Sequence, residues 1–223
     1  MATASRRQHR DVKVLRNVPY EVYRLLVEDE ANDHLRMSYH DGTLEIVSPK
    51  HLRHEIPSVR LLFLVTTAAE VLGIDYRAVG SGTCMKAGAG PFLGVGKEPD
   101  QSFYFANHRR LPTDREVDLD AGDPPPDLWI EVDNRVSSAG RLPVYAALGV
   151  PEVWQFRVKS RKVQFLRLVG NNYEVADRSL SLPILTPAFV RDALTTNHDL
   201  SDLDWIRRLR DSIGRLVADR ASD

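Results

Sequence analysis

Residues Pro124–Phe156 read PPPDLWIEVDNRVSSAGRLPVYAALGVPEVWQF, a strand carrying acids, a short helix and a second apolar strand in close succession. Side chains alternate across a strand, so Leu128, Ile130 and Val132 point one way while Trp129, Glu131 and Asp133 point the other. Two carboxylates share a face. A strand this apolar, introduced by the stiff run Pro124-Pro125-Pro126, is expected in the middle of a sheet covered on both sides, where a buried carboxylate needs a cation or hydrogen-bond donors beside it. Asn134–Gly140 reads as a turn. Pro143 is tolerated only in a first helical turn, which sets a helix start near Gly140 or Arg141, and Gly149 stops it. Arg141, Val144, Tyr145 and Leu148 then share the buried face, with Arg141 at its entry, where the guanidinium can reach back towards the strand acids. Val150–Phe156 completes a β-α-β unit whose strands should be parallel and right-handed.

At 223 residues the chain suits one α/β (α+β) domain with appendages. Its formal charge of −1 gives no global field of the kind that marks a nucleic-acid binder, so any such contact must rest on local clusters. The single cysteine, Cys84, excludes an internal disulfide and a cysteine-based zinc site, and suits a reducing cytoplasm. No apolar run approaches a membrane span, and the basic MATASRRQHR start lacks the apolar stretch of a signal peptide. Residues 1–18 are expected to form a flexible tail, 19–199 the domain and 200–223 a helical extension.

Outward from the central unit, Pro19–Glu30 has helical spacing, with Val22, Leu25, Leu26 and Tyr23 inward. Leu35–Tyr39 and Thr43–Val47 form a hairpin about Asp41-Gly42, and Ser48-Pro49 ends it. Lys50 to about Leu72 reads as the longest core helix, its inner face Leu52, Ile56, Val59, Leu62, Phe63, Thr66 and Ala69. Pro57 inside it calls for either a later start or a kink. Ile74–Val79 and Thr83–Lys86 read as strands, glycine-rich Ala87–Lys97 as a loop and acidic, proline-rich Leu111–Asp127 as another. Val163–Leu168 and Tyr173–Val175 make an edge hairpin about Gly170-Asn171-Asn172. Ser201–Asp219 carries Leu203, Ile206, Leu209, Ile213 and Leu216 along one face, for packing or for dimerisation.

Several chemistries fail on spacing. The Ala87–Lys97 loop lacks the first glycine of a P-loop, because Pro91 stands there. His51-Leu52-Arg53-His54-Glu55 has neither zinc-hydrolase order. No G-x-S-x-G occurs, and nothing around Cys84 marks a nucleophile. What remains is Pro99-Asp100, then Glu131-Val132-Asp133, then Arg141. Carboxylates from neighbouring strands suit a hard divalent cation open to water and phosphate, and a nearby cation can steady charge on a reacting phosphate.

The order P-D, strand, E-x-basic, helix, strand resembles the PD-(D/E)xK nuclease superfamily, and within it the bacterial branch named "putative restriction endonuclease". The likeness runs from about Leu35 to Phe165, through GTLEIVSPKHLRHE, GSGTC, EPDQSFYFAN, PPPDLWIEVD and LPVYAALGVPEVW. It implies a restriction-endonuclease-like core, a mixed β-sheet flanked by helices, with an N-terminal helix and hairpin and a C-terminal amphipathic helix. It further implies Mg²⁺ or Mn²⁺ held by Asp100 and Glu131, with DNA as substrate; a homodimer is expected only in the case that Ser201–Asp219 serves dimerisation. His54 matches a recurrent histidine and Glu45 an acid of the preceding strand. Asp133 stands at the motif's original lysine position and either completes the metal shell or pairs with Arg141 or Arg135. The branch displaces its lysine to the start of the following helix, where this chain has Arg141. Arginine can clamp a phosphate but stays protonated and is no general base. The expectation is a metal-dependent endonuclease with Asp100, Glu131, Arg141 and His54 catalytic; the rival is a nuclease fold that binds DNA or a protein without cutting.

Overall fold

The computed structural model describes residues 12–32, 35–47, 52–133, 138–196 and 199–221. Strand β1 (Val12–Arg16) precedes helix α1 (Tyr20–Glu28), the hairpin β2 (Arg36–His40) and β3 (Thr43–Val47), and the long helix α2 (Leu52–Leu72). Then come β4 (Arg77–Ala78), β5 (Cys84–Ala87), β6 (Gly94–Lys97), β7 (Gln101–Tyr104), β8 (Val117–Asp118) and β9 (Leu128–Asp133). A 3₁₀ turn at Ser138–Arg141 leads into α3 (Leu142–Ala147), and β10 (Glu152–Arg157), β11 (Lys162–Val169), β12 (Asn172–Ala176), α4 (Pro187–Thr195) and α5 (Asp202–Ala221) follow.

The strands build two mixed six-stranded sheets, ordered β1-β3-β2-β6-β5-β8 and β12-β11-β10-β9-β7-β4. Strand β9 is buried along its whole length inside the second sheet, parallel to β10 across α3 and antiparallel to β7. Leu128, Ile130 and Val132 join Leu61, Leu64 and Val65 of α2 and Trp205, Leu209 and Ile213 of α5 in the larger core. On the other face Trp129 packs with Val144 and Tyr145 of α3 and with Leu148 just after it. This alternation is the one the sequence predicts, and it leaves Glu131 and Asp133 facing away from the larger core. The outer face of the first sheet packs under α1 through Tyr23, Met37, Tyr39, Leu44 and Met85.

The Asp41-Gly42 turn forms as expected, both residues at positive φ (40° and 80°), the geometry that lets a two-residue loop follow strand twist. The edge hairpin of β11 and β12 forms as well. Elsewhere the structure corrects the reading. Residues 12–16, expected in a flexible tail, pair with β3 as β1. The supposed loop Ala87–Lys97 contains β6, in which every residue is buried. Its glycines made it look like a turn, yet a Cβ at Gly96 would collide with the Tyr23 ring, so glycine there serves close packing. Helix α2 runs from Leu52 through Pro57, and its buried side is His54, Ser58, Leu61, Val65 and Ala68 rather than the side holding exposed Ile56 and Val59. In α1, Val22 and Leu25 likewise face solvent while Tyr23 is fully buried. Helix α5 packs on α2 with its apolar face, which decides between packing and dimerisation for that face. Ser48-Pro49, His51 and Asn134–Ser137 lie outside the described residues.

Candidate active site

Lys97 ends β6 in the first sheet, and Asp100 stands just ahead of β7 in the second, so Glu98 and Pro99 carry the chain across between the sheets. Ser38 pairs with Glu45 on one side and Lys97 on the other, which puts those three side chains in a row on one face. Arg36 lies two residues before Ser38 and shares that face. The second sheet contributes Glu131 and Asp133. The start of α2 adds His54 and the entry of α3 adds Arg141. All except Glu45 line one pocket of ≈ 40 Å³, room for a small ion or a few waters.

Asp100 is held from three directions. Arg36 Nη1 donates to its Oδ1 at 2.7 Å, while the amide of Val132 at 2.6 Å and His54 Nε2 at 2.9 Å meet Oδ2. The same guanidinium donates to the carbonyls of Glu98 and Pro99, fastening the crossing segment. His54 is 2% exposed, and its Nδ1 lies 3.2 Å from Glu55 Oε1. His54 thus touches the Asp100 carboxylate directly.

Glu131 Oε1 accepts from the Tyr145 hydroxyl at 3.0 Å and lies 3.6 Å from Lys97 Nζ. Among the described residues Oε2 receives no hydrogen bond. Burial pushes the Lys97 amine down to about 8 against the pull of Glu131, and burial with Glu131 holds the Tyr145 hydroxyl well above its ordinary value. Burial opposes the charges of Arg36 and Arg141, yet the surrounding groups outweigh it and keep both above the usual arginine value, Asp100 foremost for Arg36 and Tyr145 with Glu131 for Arg141. Arg141 Nη2 lies 3.5 Å from Glu45 Oε2, with a quarter of the Arg141 side chain exposed. It faces the mouth of the pocket.

The structure thus brings Asp100, Glu131, Asp133, His54 and Arg141 together and sets Glu45 at the rim. Lys97, Arg36 and the hydroxyl of Tyr145 were missed as site residues. One signal was available for Lys97: it precedes the P-D acid by three residues, a distance a strand followed by a short crossing spans easily.

A family profile described as "Uma2: Putative restriction endonuclease" matches residues 20–196. Among solved structures, "a putative nuclease belonging to DUF820" from Anabaena variabilis is similar at 17% identity and a TM-score of 0.47, over 78% of this chain and 90% of that one. No curated protein matches.

Proposed function

Because the chain belongs to the Uma2 family of "putative restriction endonucleases", we propose that it is a divalent-metal-dependent endonuclease acting on the phosphodiester bonds of DNA. The observation that carries this reading is the meeting of Asp100, Glu131 and Asp133 with Arg141 in one pocket, although 41 positions separate the first from the last.

Among the described residues no three of His, Cys, Asp and Glu stand ready as a metal shell. Mg²⁺ does not need one, since it commonly keeps several waters and binds through one or two carboxylates plus a phosphate. The donors are hard oxygens, Glu131 Oε2 carries no competing hydrogen bond among the described residues, and the pocket admits an ion, so the residues fit. Glu131 and Asp133 would hold the cation with Asp100 beside them. Bound there, it would neutralise phosphate charge and make a coordinated water more acidic.

The side chains supply the rest. Arg36, His54 and the Val132 amide fix the Asp100 carboxylate, and Tyr145 fixes Glu131, so neither acid has to be reoriented when substrate arrives. Arg141 at the mouth meets the entering phosphate with two parallel donors, the geometry in which arginine surpasses lysine. In the reaction water oxygen bonds to phosphorus, the ester P–O bond breaks, and the leaving oxygen ends with a proton.

Cleavage of supercoiled plasmid in Mg²⁺ or Mn²⁺ tests the proposal. Glu131→Ala and Asp100→Ala should each abolish nicking, and a chelator should stop the wild-type protein; persistent cleavage in both variants would sink the assignment. A second reading has its own observation: Asp100 with Arg36, Glu131 with Lys97 and Glu45 with Arg141 already form pairs, so each of these three acids has a cation beside it without a metal. A binding protein that does not cut would look like this. Calorimetry showing no Mn²⁺ uptake by the folded protein would favour it.

A further inference from the structure

Resting on that nuclease reading, we infer that Lys97 provides the active-site ammonium, delivered from the opposite sheet, and that this frees position 141 to carry a phosphate-receiving arginine. The contrast between the two cations carries the argument. Lys97 and Glu131 are nearly enclosed, with side chains 8% and 5% exposed and 3.6 Å between charged atoms. The ion pair of Arg141 is with Glu45 instead, and those side chains are 25% and 35% exposed. One cation is inside the pocket on the acid of β9, and the other stands at its mouth.

The route of the chain explains why the amine can come from so unexpected a place. A lysine two residues after Glu131 would reach the pocket along the same strand, but Asp133 is there. Strand β6 offers another approach: its last residue lies opposite Ser38 on the face turned to the second sheet, and the chain then crosses directly to Asp100. Lys97 Nζ also donates to the Glu98 carbonyl, which ties the amine to the crossing segment. Tyr145 and Lys97 both approach Oε1 of Glu131, so the ammonium lies beside the cation position proposed at Oε2 rather than in it. A phosphate bound to that cation would have Lys97 within reach on one side and Arg141 on the other. An enclosed, desolvated ammonium stabilises developing phosphate charge far more than an exposed one.

The test is an exchange of cations. Plasmid cleavage, Mn²⁺ calorimetry and thermal melting are measured on wild type, Lys97→Met, Lys97→Gln, Arg141→Met and the double variant Lys97→Met/Arg141→Lys. Both neutral variants at position 97 should cut about 100-fold more slowly while binding Mn²⁺ and melting near wild type, the scale of losing one preorganised electrostatic contact. Arg141→Met should act mainly on the DNA concentration needed for half-maximal rate. The double variant should cut no faster than Lys97→Met, because a lysine at the part-exposed mouth does not replace the enclosed ammonium; recovery to the wild-type rate would overturn the enclosed role. A wild-type protein that cuts, beside position-97 variants that cut within threefold of it, overturns this inference and leaves the nuclease reading standing. So does unfolding of both neutral variants, which would make Lys97 a structural residue. A wild-type protein that neither cuts nor takes up Mn²⁺ overturns both.

Discussion

Glu131 gathers a phenol and an ammonium on one oxygen, and the order of their importance can be separated by substitution. Tyr145→Phe removes a charge-assisted hydrogen bond from a fully buried pair and should cost about 1.5–3 kcal/mol of stability. It should also slow cleavage while leaving the phosphate contact of Arg141 unaltered; thermal melting and rate against DNA concentration report the two effects. The acids were legible in the sequence because strand alternation alone puts Glu131 and Asp133 on one face, and Pro99-Asp100 stands immediately before an aromatic strand. His54 was legible only through the family likeness. Lys97 was not read at all, because Gly94 and Gly96 made its strand resemble a loop. Those glycines answer to Tyr20 and Tyr23, whose rings occupy the space a Cβ would need.

Elements are held to one another by a few buried contacts whose removal has calculable consequences. Gly96→Ala would drive a methyl group into the Tyr23 ring between β6 and α1, an overpacking expected to cost about 1–3 kcal/mol and to displace Lys97 next door. A lowered melting temperature together with reduced cleavage would show that coupling. At the far end of the second sheet, Glu152 is 1% exposed and accepts from Trp154 Nε1 at 2.7 Å and from the amides of Leu180 and Ser181 at 3.0 and 2.9 Å. It fastens the segment leading to α4. Glu152→Ala leaves one buried and two part-buried donors without this partner and should cost about 2 kcal/mol, lowering the melting temperature by roughly 4–8 °C for a chain of this size. Cleavage by the folded fraction should be unaffected. Helix positions were legible from periodicity, and so were the inner faces of α3 and α5, but not those of α1 and α2: α2 turns His54 and Ser58 inward because they meet Asp100 and Gln101. A rule that sends polar residues outward selects the wrong side.

The molecule as a whole depends on α5. Trp205, Leu209 and Ile213 complete the larger core against α2, so a chain ending at residue 199 would expose that core and lose roughly 5 kcal/mol or more, a large part of a domain's net stability. Circular dichroism of the truncated chain should show a broad, early melt; an unchanged melt would contradict the packing role. A homodimer, if light scattering finds one, must use a surface other than this apolar face. Alkaline pH tests the cores together. Burial raises the hydroxyls of Tyr20, Tyr23, Tyr104, Tyr145 and Tyr173 above their ordinary value, so the unfolded chain ionises them first. The stability they confer is complete below about pH 10 and is lost as pH climbs through the higher folded-state values. Lys97, depressed in the folded state, acts in the opposite sense from about 8 up to its ordinary value, so denaturant midpoints taken in the Lys97→Met background isolate the tyrosine limb. Finally, the edge-on meeting of Trp129 with Tyr145, centroids 5.3 Å apart at 87°, places an indole two side chains from the acid proposed to take the cation. Trp154 stacks on Phe165, and Trp205 lies beneath Arg60, both in the other core. The protein therefore carries an intrinsic fluorophore at its candidate centre, and in a Trp154→Phe/Trp205→Phe background a change of emission on adding Mn²⁺, absent when Tyr145 is also phenylalanine, would report occupancy optically without any DNA being cut.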